Sequence, residues 1–126
     1  MIRWLDHVNV RTTHLEALVR FYEDVVGLKQ GERPPLGFPG AWLYAGERAV
    51  IHLVGVAEQP APQGALRLEH FAFAATGLTE LLARLDHHAV PYRSSRQAGT
   101  GNVVINVQDP DGNRLHLDFP ASEADA

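Results

Sequence analysis

The sequence predicts an α+β protein built from two tandem βαβββ modules, and three observations support this fold class. The chain resembles itself once, because the segment around His7 matches the segment around His70 at an offset of 63 residues. Each copy opens with an alternating strand pattern, continues with an amphipathic helical stripe and closes with short β segments joined by turns. The length of 126 residues suits a single domain. We expect the modules to form a curved mixed sheet with a concave cavity on one face and the helices on its outer face.

The repeat also predicts the domain organisation. The first module spans residues 1–57 and the second spans residues 66–120. Residues 58–65 contain two prolines and a glycine, which predicts an extended linker. Residues 121–126 are small and acidic, so a frayed tail is expected. Because each copy is too small to fold stably alone, we expect the modules to share one structural domain.

In the first module, the opening strand directs Val8 and Val10 to one face and His7 and Asn9 to the other. The helix that follows is predicted to begin with a capping box formed by Thr13 and Glu16. Its apolar stripe ends at Gly27, a typical helix C-terminal residue. Residues 28–33 are predicted to form one more strand, and residues 41–45 and 49–54 a hairpin.

The second module has the same order of elements. Its opening strand directs Phe71 and Phe73 to the face opposite His70. Leucines at helical spacing over residues 78–85 predict a helix that ends near His87 and His88. Strands are predicted for residues 92–96, 102–107 and 114–119, the last two joined by a turn at residues 109–113. Because hairpins connect the later strands, we expect antiparallel pairing to dominate the second part of each module.

Composition excludes several classes of protein. The 11 Lys and Arg residues against 15 Asp and Glu give a formal charge of −4, which argues against nucleic acid as a partner. No apolar run reaches the ~18 residues of a membrane-spanning helix, so no membrane partner is expected. The first residues lack the basic region and apolar run of a signal peptide, so a cytoplasmic location is expected. With no cysteine, the chain has no disulfide, thiolate ligand or Cys nucleophile.

Four of the seven histidines occupy matched positions in the two copies. His7 matches His70, and His52 matches His116 at an offset of 64. All four are predicted to lie mid-strand and to line the concave face, opposite the apolar face that the helices cover. Neutral imidazole is a strong ligand for Zn, Ni, Co, Fe and Cu ions, and strands hold such ligands rigidly. We therefore predict a metal site, whereas polar residues scattered over a half-solvated sheet are the simpler alternative.

Five stretches carry a resemblance to a known family: Leu5–Val8, Phe21–Leu28, Ala49–Leu53, Leu68–Phe71 and Asp109–His116. Together with the paired modules they resemble the vicinal oxygen chelate superfamily, which includes glyoxalase I, extradiol dioxygenases and bleomycin-resistance proteins. The resemblance covers the chain up to Phe119. It implies a divalent metal, among Zn, Ni, Fe(II), Co and Mn, whose open coordination positions take adjacent oxygens of a small-molecule substrate. It assigns the metal ligands to His7, His52, His70 and His116, and it implies a homodimer.

The ligand set departs from the pattern of that family. The last-strand ligand is usually Glu, at least in the second module, whereas this chain has His52 and His116. Four neutral ligands leave the charge of the metal uncompensated, which should strengthen its Lewis acidity. Glyoxalase-type proton transfer through a ligand carboxylate is therefore less well matched, and so is the extradiol iron site, which normally has two histidines and one carboxylate. Asp118 lies two residues beyond His116 on the same face, and we expect it to be a catalytic base or a strand-end surface residue.

Other residues give weaker indications of a substrate site. Arg11 follows the first predicted strand and is a candidate for contact with an anionic substrate, as well as an ordinary exposed residue. Phe38 lies in the stretch Gly37–Gly40 and is a candidate for a lid. Trp42 and Tyr44 alternate together, which fits either an aromatic wall or plain packing.

Three functions remain open at this point. The first is a metal-dependent lyase, isomerase or ring-opening dioxygenase that chelates its substrate through neighbouring oxygens. The second is a metal-free binding protein that sequesters a drug or another small molecule, as bleomycin-resistance relatives do. The third is a structural zinc, saturated by four imidazoles and without an open position.

Overall fold

The structure is a computed structural model, and it describes residues 1–60 and 67–124. Most of the predicted linker, residues 61–65, and the end of the predicted tail, residues 125 and 126, lie outside the described residues. The chain divides into two compact units, Met1–Pro62 and Gln63–Ala126.

The first unit contains a four-stranded sheet and one helical segment. Its elements are β1 (Val8–Thr12), α1 (Leu15–Arg20), a π-helical continuation of α1 (Phe21–Val26), β2 (Lys29–Gly31), β3 (Gly40–Ala45) and β4 (Arg48–Gly55). The strand order is β1-β4-β3-β2, with β1 parallel to β4 and the other pairs antiparallel. Helix α1 packs against β3 and β4.

The second unit repeats this arrangement. Its elements are β5 (Phe71–Ala74), α2 (Leu78–His87), β6 (Tyr92–Arg96), β7 (Val103–Gln108), β8 (Arg114–Phe119) and a 3-10 helix (Ala121–Glu123). The strand order is β5-β8-β7-β6, again with one parallel pair, β5 with β8. The predicted pair of βαβββ modules is confirmed. In the part of the chain that the structure describes, no helix has the length and apolarity needed to span a bilayer.

Alternation along the strands separates a buried face from a more polar face in each sheet. Ile51 and Leu53 on β4 are fully buried, and the intervening His52 is half-buried. Leu115, Leu117 and Phe119 on β8 are buried in the same way. The histidines therefore lie on the faces opposite the apolar cores, as the sequence pattern predicts.

The start of α1 differs from the predicted capping box. His14 occupies the N-cap position without a side-chain capping hydrogen bond, so the prediction that Thr13 caps the helix is wrong. Thr12, the residue before Thr13, makes the side-chain hydrogen bond at this end of the helix. Its buried hydroxyl accepts a hydrogen bond from the His14 N–H at 2.8 Å. The predicted end is confirmed, since Gly27 follows the π-helical segment with a φ of 93°.

The C-terminal segment is more ordered than its composition predicts. Helix α2 begins after Gly77, which has no side chain for capping. The Glu123 carboxylate accepts hydrogen bonds from the backbone N–H groups of Gly77 and Leu78, at 3.0 and 2.9 Å. Capping from a distant residue satisfies donors that the helix itself leaves unpaired. The expectation that the tail frays from residue 121 is therefore wrong for Ala121–Glu123.

Candidate metal and substrate site

The register of the first sheet brings His7 against His52. Asn9 lies directly opposite His52 in the parallel pair of β1 and β4, and His7 precedes Asn9 by two residues on the same face. The two imidazole rings stack, with centroids 3.8 Å apart and planes 8° from parallel. His7 immediately precedes β1, so the prediction that it lies mid-strand is wrong, although its face is as predicted.

The second sheet repeats this contact with the matched residues. Ala72 lies opposite His116 in the parallel pair of β5 and β8. His70 precedes β5 and its ring stacks on that of His116, with centroids 4.0 Å apart and planes 12° from parallel. Each unit therefore presents one histidine pair, built from equivalent positions.

An acidic residue holds the first histidine of each pair. The Nδ1 atom of His7 lies 2.8 Å from an oxygen of Asp6, and Nδ1 of His70 hydrogen-bonds to Glu69 in the same way. The hydrogen bond from His7 lowers the pKa of Asp6, and that from His70 lowers the pKa of Glu69. Donation from Nδ1 leaves the lone pair on Nε2, so each carboxylate selects the tautomer of its histidine.

The second histidine of each pair is biased toward its neutral form. Burial lowers the pKa of His52, and the nearby His7 lowers it further. Burial and the neighbouring His70 lower the pKa of His116 in the same way. The Nε2 atom of His52 also lies 3.1 Å from the carbonyl oxygen of Ala49, to which its N–H form donates. Neutral imidazole is the form that binds a metal ion.

The donor set has the chemistry of a divalent metal site. Metal-ligating histidines usually donate their second ring nitrogen to a carboxylate or carbonyl, as His7, His52 and His70 do here. The stacked rings, however, direct their in-plane lone pairs side by side rather than toward a common point. Among residues 1–60 and 67–124, no group of three or more His, Asp or Glu side chains is placed to hold a metal. A shared ion would therefore require the rings to turn out of the stack.

Trp42 extends the histidine stack in the first unit. It lies opposite His52 on β3, and the two rings stack with centroids 3.9 Å apart and planes 11° from parallel. His52 is thus enclosed between His7 and Trp42. Trp42 thus packs on His52, whereas Tyr44 lies over Gly31 and donates its hydroxyl to the Glu32 carbonyl. An aromatic wall that faces the substrate stays a prediction.

Asp118 shares the face of His116 on β8, where we expected it. One of its carboxylate oxygens is buried and has no hydrogen-bond partner within residues 1–60 and 67–124. The negative charge of this carboxylate raises the pKa of His116 and so counteracts part of the lowering that burial causes. The equivalent position in the first unit is the apolar Val54. A buried, unpaired carboxylate oxygen beside a candidate ligand is available to accept a proton.

Arg11 lies inside β1, so the expectation that it follows the first strand is wrong. It is exposed, lies opposite Val54, and alternates onto the face that carries Asn9. Its position is therefore on the histidine face of the first unit, although the structure adds no contact that marks it as a binding residue.

A second arginine, Arg33, was not predicted and lies on the same face. Its Nη2 donates a hydrogen bond to the Phe38 carbonyl oxygen at 2.9 Å, and its guanidinium lies 5.0 Å from the centroid of the Phe38 ring. The sequence around Arg33 contains no motif that marks it. The acidic partners of the histidines could have been found, because an acidic residue precedes the first histidine in both copies.

The paired modules agree with the comparisons to known proteins. The chain matches the Glyoxalase/Bleomycin resistance protein/Dioxygenase superfamily over residues 4–117. It therefore belongs to that superfamily, and the predicted resemblance is confirmed.

Individual relatives within the superfamily differ in activity. The chain is 32% identical over 125 residues to the manganese-dependent 2,3-dihydroxybiphenyl 1,2-dioxygenase of Geobacillus genomosp. 3. That match covers 91% of this chain and 39% of the relative, so the chain spans well under half of that enzyme.

Two solved structures share the fold. A glyoxalase family protein from Bacillus anthracis has a TM-score of 0.77 at 22% identity, covering 95% of this chain and 97% of that chain. Lactoylglutathione lyase from Agrobacterium tumefaciens has a TM-score of 0.66 at 22% identity, covering 94% of both chains.

Proposed function

We propose that this protein is a divalent-metal-dependent enzyme that binds a small substrate through two adjacent oxygen atoms. The observation that carries the proposal is the repeated histidine pair, His7 with His52 and His70 with His116, in which an acidic residue accepts a hydrogen bond from Nδ1 of the first histidine. Scattered surface histidines would not be expected to recur with the same partner chemistry in both modules. The manganese-dependent relative supports a ring-opening dioxygenase over a lyase or an isomerase.

The residues of this chain have separate roles in the proposed reaction. The histidine pair of each unit would supply metal ligands, and a divalent metal supplies a Lewis acid that stabilises negative charge on the bound oxygens. Burial keeps His52 and His116 neutral and available as ligands near pH 7. Asp118 would accept the proton of a substrate hydroxyl at its buried, unpaired oxygen. In the dioxygenase reaction, both atoms of O2 enter the product as the ring of an aromatic diol opens.

Metal content and diol turnover test the proposal together. The chain is purified without a histidine tag, its metal is measured by mass spectrometry, and it is then loaded separately with Mn, Fe(II), Ni, Co and Zn. Each form is assayed with 2,3-dihydroxybiphenyl, catechol and an α-ketoaldehyde–thiol adduct. We expect stoichiometric metal and oxygen-dependent ring opening. The variants His7→Ala and His116→Ala should each lower the metal content well below that of the parent.

His88→Ala is the matched control, because His88 is exposed at the end of α2 and outside both pairs. This variant should keep its metal. A protein that takes up none of the five metals would contradict the proposal, as would metal retained in both site variants. Metal held by four nitrogens with no bound water, seen by X-ray absorption, would instead indicate the structural zinc.

Metal-free binding of a planar ligand is the second candidate, and the ring stack favours it. The rings of Trp42, His52 and His7 stack face to face as a column, and parallel rings do not direct their lone pairs to one ion. A planar aromatic compound would stack on an end of this column, against Trp42 or His7. Under this function, the chelator-treated protein binds a planar aromatic ligand as tightly as the metal-loaded protein, and Trp42→Ala weakens that binding without altering metal content.

A further inference from the structure

Arg33 lies over the histidine face of the first unit because Gly40 leaves room for it. A Cβ atom placed on Gly40 would lie 2.7 Å from Nη2 of Arg33, so the guanidinium occupies the space of a side chain at that position. Gly40 and Trp42 alternate onto the same face of β3, which is the face where Trp42 stacks on His52. The positive charge of Arg33 also reaches His52, where it contributes to lowering the pKa.

On one edge of the Arg33 guanidinium, only one of the two neighbouring nitrogen donors makes a hydrogen bond to the described residues. Nε–H and Nη2 lie side by side on this edge and form the fork that receives the two oxygens of a carboxylate. Nη2 donates to the Phe38 carbonyl, whereas Nε is buried and has no acceptor among the described residues. A buried donor without a partner destabilises the fold by more than a typical hydrogen bond stabilises it. The contact with the Phe38 carbonyl therefore fixes the position of this edge, although one of its two N–H donors makes no hydrogen bond to the described residues.

The segment of Gly37 and Phe38 can release its hydrogen bond to this edge, so that a ligand can take the place of the Phe38 carbonyl. Phe38 remains 45% exposed although the cation lies over its ring. Gly37, directly before it, has a φ of 82°, a conformation that glycine adopts at little cost. The Phe38 carbonyl supplies one neutral oxygen, whereas a carboxylate supplies two charged oxygens at the spacing of the fork. Charge-assisted bidentate bonds are the stronger of the two, so the exchange is favourable.

We propose that Arg33 is the residue that binds a carboxylate of the substrate on the histidine face, through Nε–H and Nη2, in place of the Phe38 carbonyl. The substrate class is then an aromatic or planar acid whose ring lies near the stack of Trp42 and His52. This inference rests on the proposed function, because it takes that face as the place where substrate binds. It also assigns the anion contact to Arg33 rather than to Arg11.

Benzoate and benzamide are the matched probes, because they share a ring and differ in the charge of the substituent. Their dissociation constants are measured by calorimetry with chelator-treated protein and again with manganese-loaded protein. The Nε–Hε resonance of Arg33, assigned from its loss in Arg33→Lys, is followed by NMR during the titrations of the chelator-treated protein. We expect benzoate to bind about 10-fold more tightly than benzamide with or without metal, and to shift this resonance in the metal-free protein.

Three variants complete the test. Arg33→Gln should abolish the preference for benzoate, and Arg33→Lys should keep only part of it, because lysine has no fork. Arg20→Gln removes the same charge from α1, where Arg20 pairs weakly with Glu16, and it should keep the full preference. Thermal unfolding of each variant separates a binding defect from a folding defect.

Several outcomes would overturn the assignment. These are equal affinities for the two probes, a full preference in Arg33→Gln or Arg33→Lys, or a preference lost in Arg11→Gln and kept in Arg33→Gln. The probes can bind without metal, so the two proposals can fail separately. A protein that prefers benzoate through Arg33 but takes up no metal contradicts the proposed enzyme and supports the arginine site. A protein that takes up metal but shows no carboxylate preference contradicts only the arginine site.

Discussion

The imidazole rings of His7 and His52 lie face to face, with centroids 3.8 Å apart. Two imidazolium ions at this separation would repel each other, so the stack disfavours the doubly protonated pair. The surroundings distribute the protons unevenly. Asp6 accepts a hydrogen bond from His7, whereas burial disfavours the charged form of His52 and lowers its pKa. The contact thus couples the protonation of the site to the packing of the sheet.

The lowered pKa values of His52 and His116 predict that stability falls as the solution is acidified. An unfolded histidine titrates near 6.5, and in the folded protein both residues titrate below that value. Between these two pKa values, the unfolded chain binds more protons than the folded chain. The contribution to stability is therefore complete above pH 6.5 and is lost as the pH falls from there through the folded pKa. Urea unfolding at pH 7.5, 6.5 and 5.5 should show this decline.

Glutamine substitutions identify the residues responsible for that decline. His52→Gln and His116→Gln should each flatten the dependence between pH 7 and 5.5, and the double variant should flatten it most. His88→Gln, at the exposed end of α2, should leave it unchanged. Asp6 and Glu69 have lowered pKa values, so their contribution is lost in a separate range below pH 4.5. An undiminished slope in the double variant would contradict this account.

Asp118→Val is expected to stabilise the fold and impair the reaction. The equivalent residue in the first unit is Val54, so valine is compatible with this strand position. The substitution removes a buried carboxylate oxygen without a partner, and the free energy of unfolding should rise by about 0.5–1 kcal/mol. Turnover in the diol assay should fall by roughly 100-fold if the carboxylate accepts the proton. The measurements are urea unfolding and initial rates with the metal-loaded protein.

The comparison variant Asp118→Asn keeps the size of the side chain but not its charge. It should lose a similar share of turnover, because an amide does not accept the proton. A loss of stability above about 1 kcal/mol in Asp118→Val would show instead that the carboxylate holds the fold together.

Local patterns were sufficient to predict the strands and the face on which the histidines lie. The bounds predicted for β6 and β8 match the structure, because alternation and flanking turn residues mark both ends. The stacking of His7 on His52 and of His70 on His116 was not predicted, although the repeat predicted that His7 matches His70 and that His52 matches His116.

Interactions between distant residues were not visible in those patterns. Glu123 caps a helix that begins 45 residues earlier, and no local signal connects the two. Arg33 reaches the histidine face because a glycine on the next strand of the sheet makes room for it. The capping box at Thr13 has the expected residues, but the Thr12 hydroxyl takes up the His14 N–H. The contacts of Glu123 and Arg33 are tertiary and have no local sequence signal, whereas that of Thr12 is a local hydrogen bond that replaces the expected one.

Asp109→Ala should destabilise the hairpin between β7 and β8. Asp109 is 4% exposed, and its Oδ1 accepts hydrogen bonds from the backbone N–H groups of Asp111 and Asn113, both at 2.9 Å. Its Oδ2 accepts a third from the Asn113 side chain at 2.8 Å. Alanine leaves these donors without the carboxylate, so the free energy of unfolding should fall by about 2–3 kcal/mol. Asp109→Asn keeps one acceptor and should lose less, whereas equal losses in urea unfolding would contradict the role of the carboxylate.

Glu123→Ala should weaken the start of α2 although the two lie far apart in sequence. The Glu123 carboxylate receives the N–H groups of Gly77 and Leu78 and places negative charge at the positive end of the helix. Removing it should lower the free energy of unfolding by about 1–2 kcal/mol, as the loss of a helix cap does. Glu123→Gln retains an acceptor oxygen without the charge and should fall between alanine and the parent. Glu47→Ala, in the exposed turn between β3 and β4, is the control and should change stability by less than about 0.5 kcal/mol. Hydrogen exchange gives a local measurement, because the amides of Gly77 and Leu78 should exchange faster in Glu123→Ala than in the parent. Unchanged exchange at both amides would show that Glu123 does not cap the helix in solution.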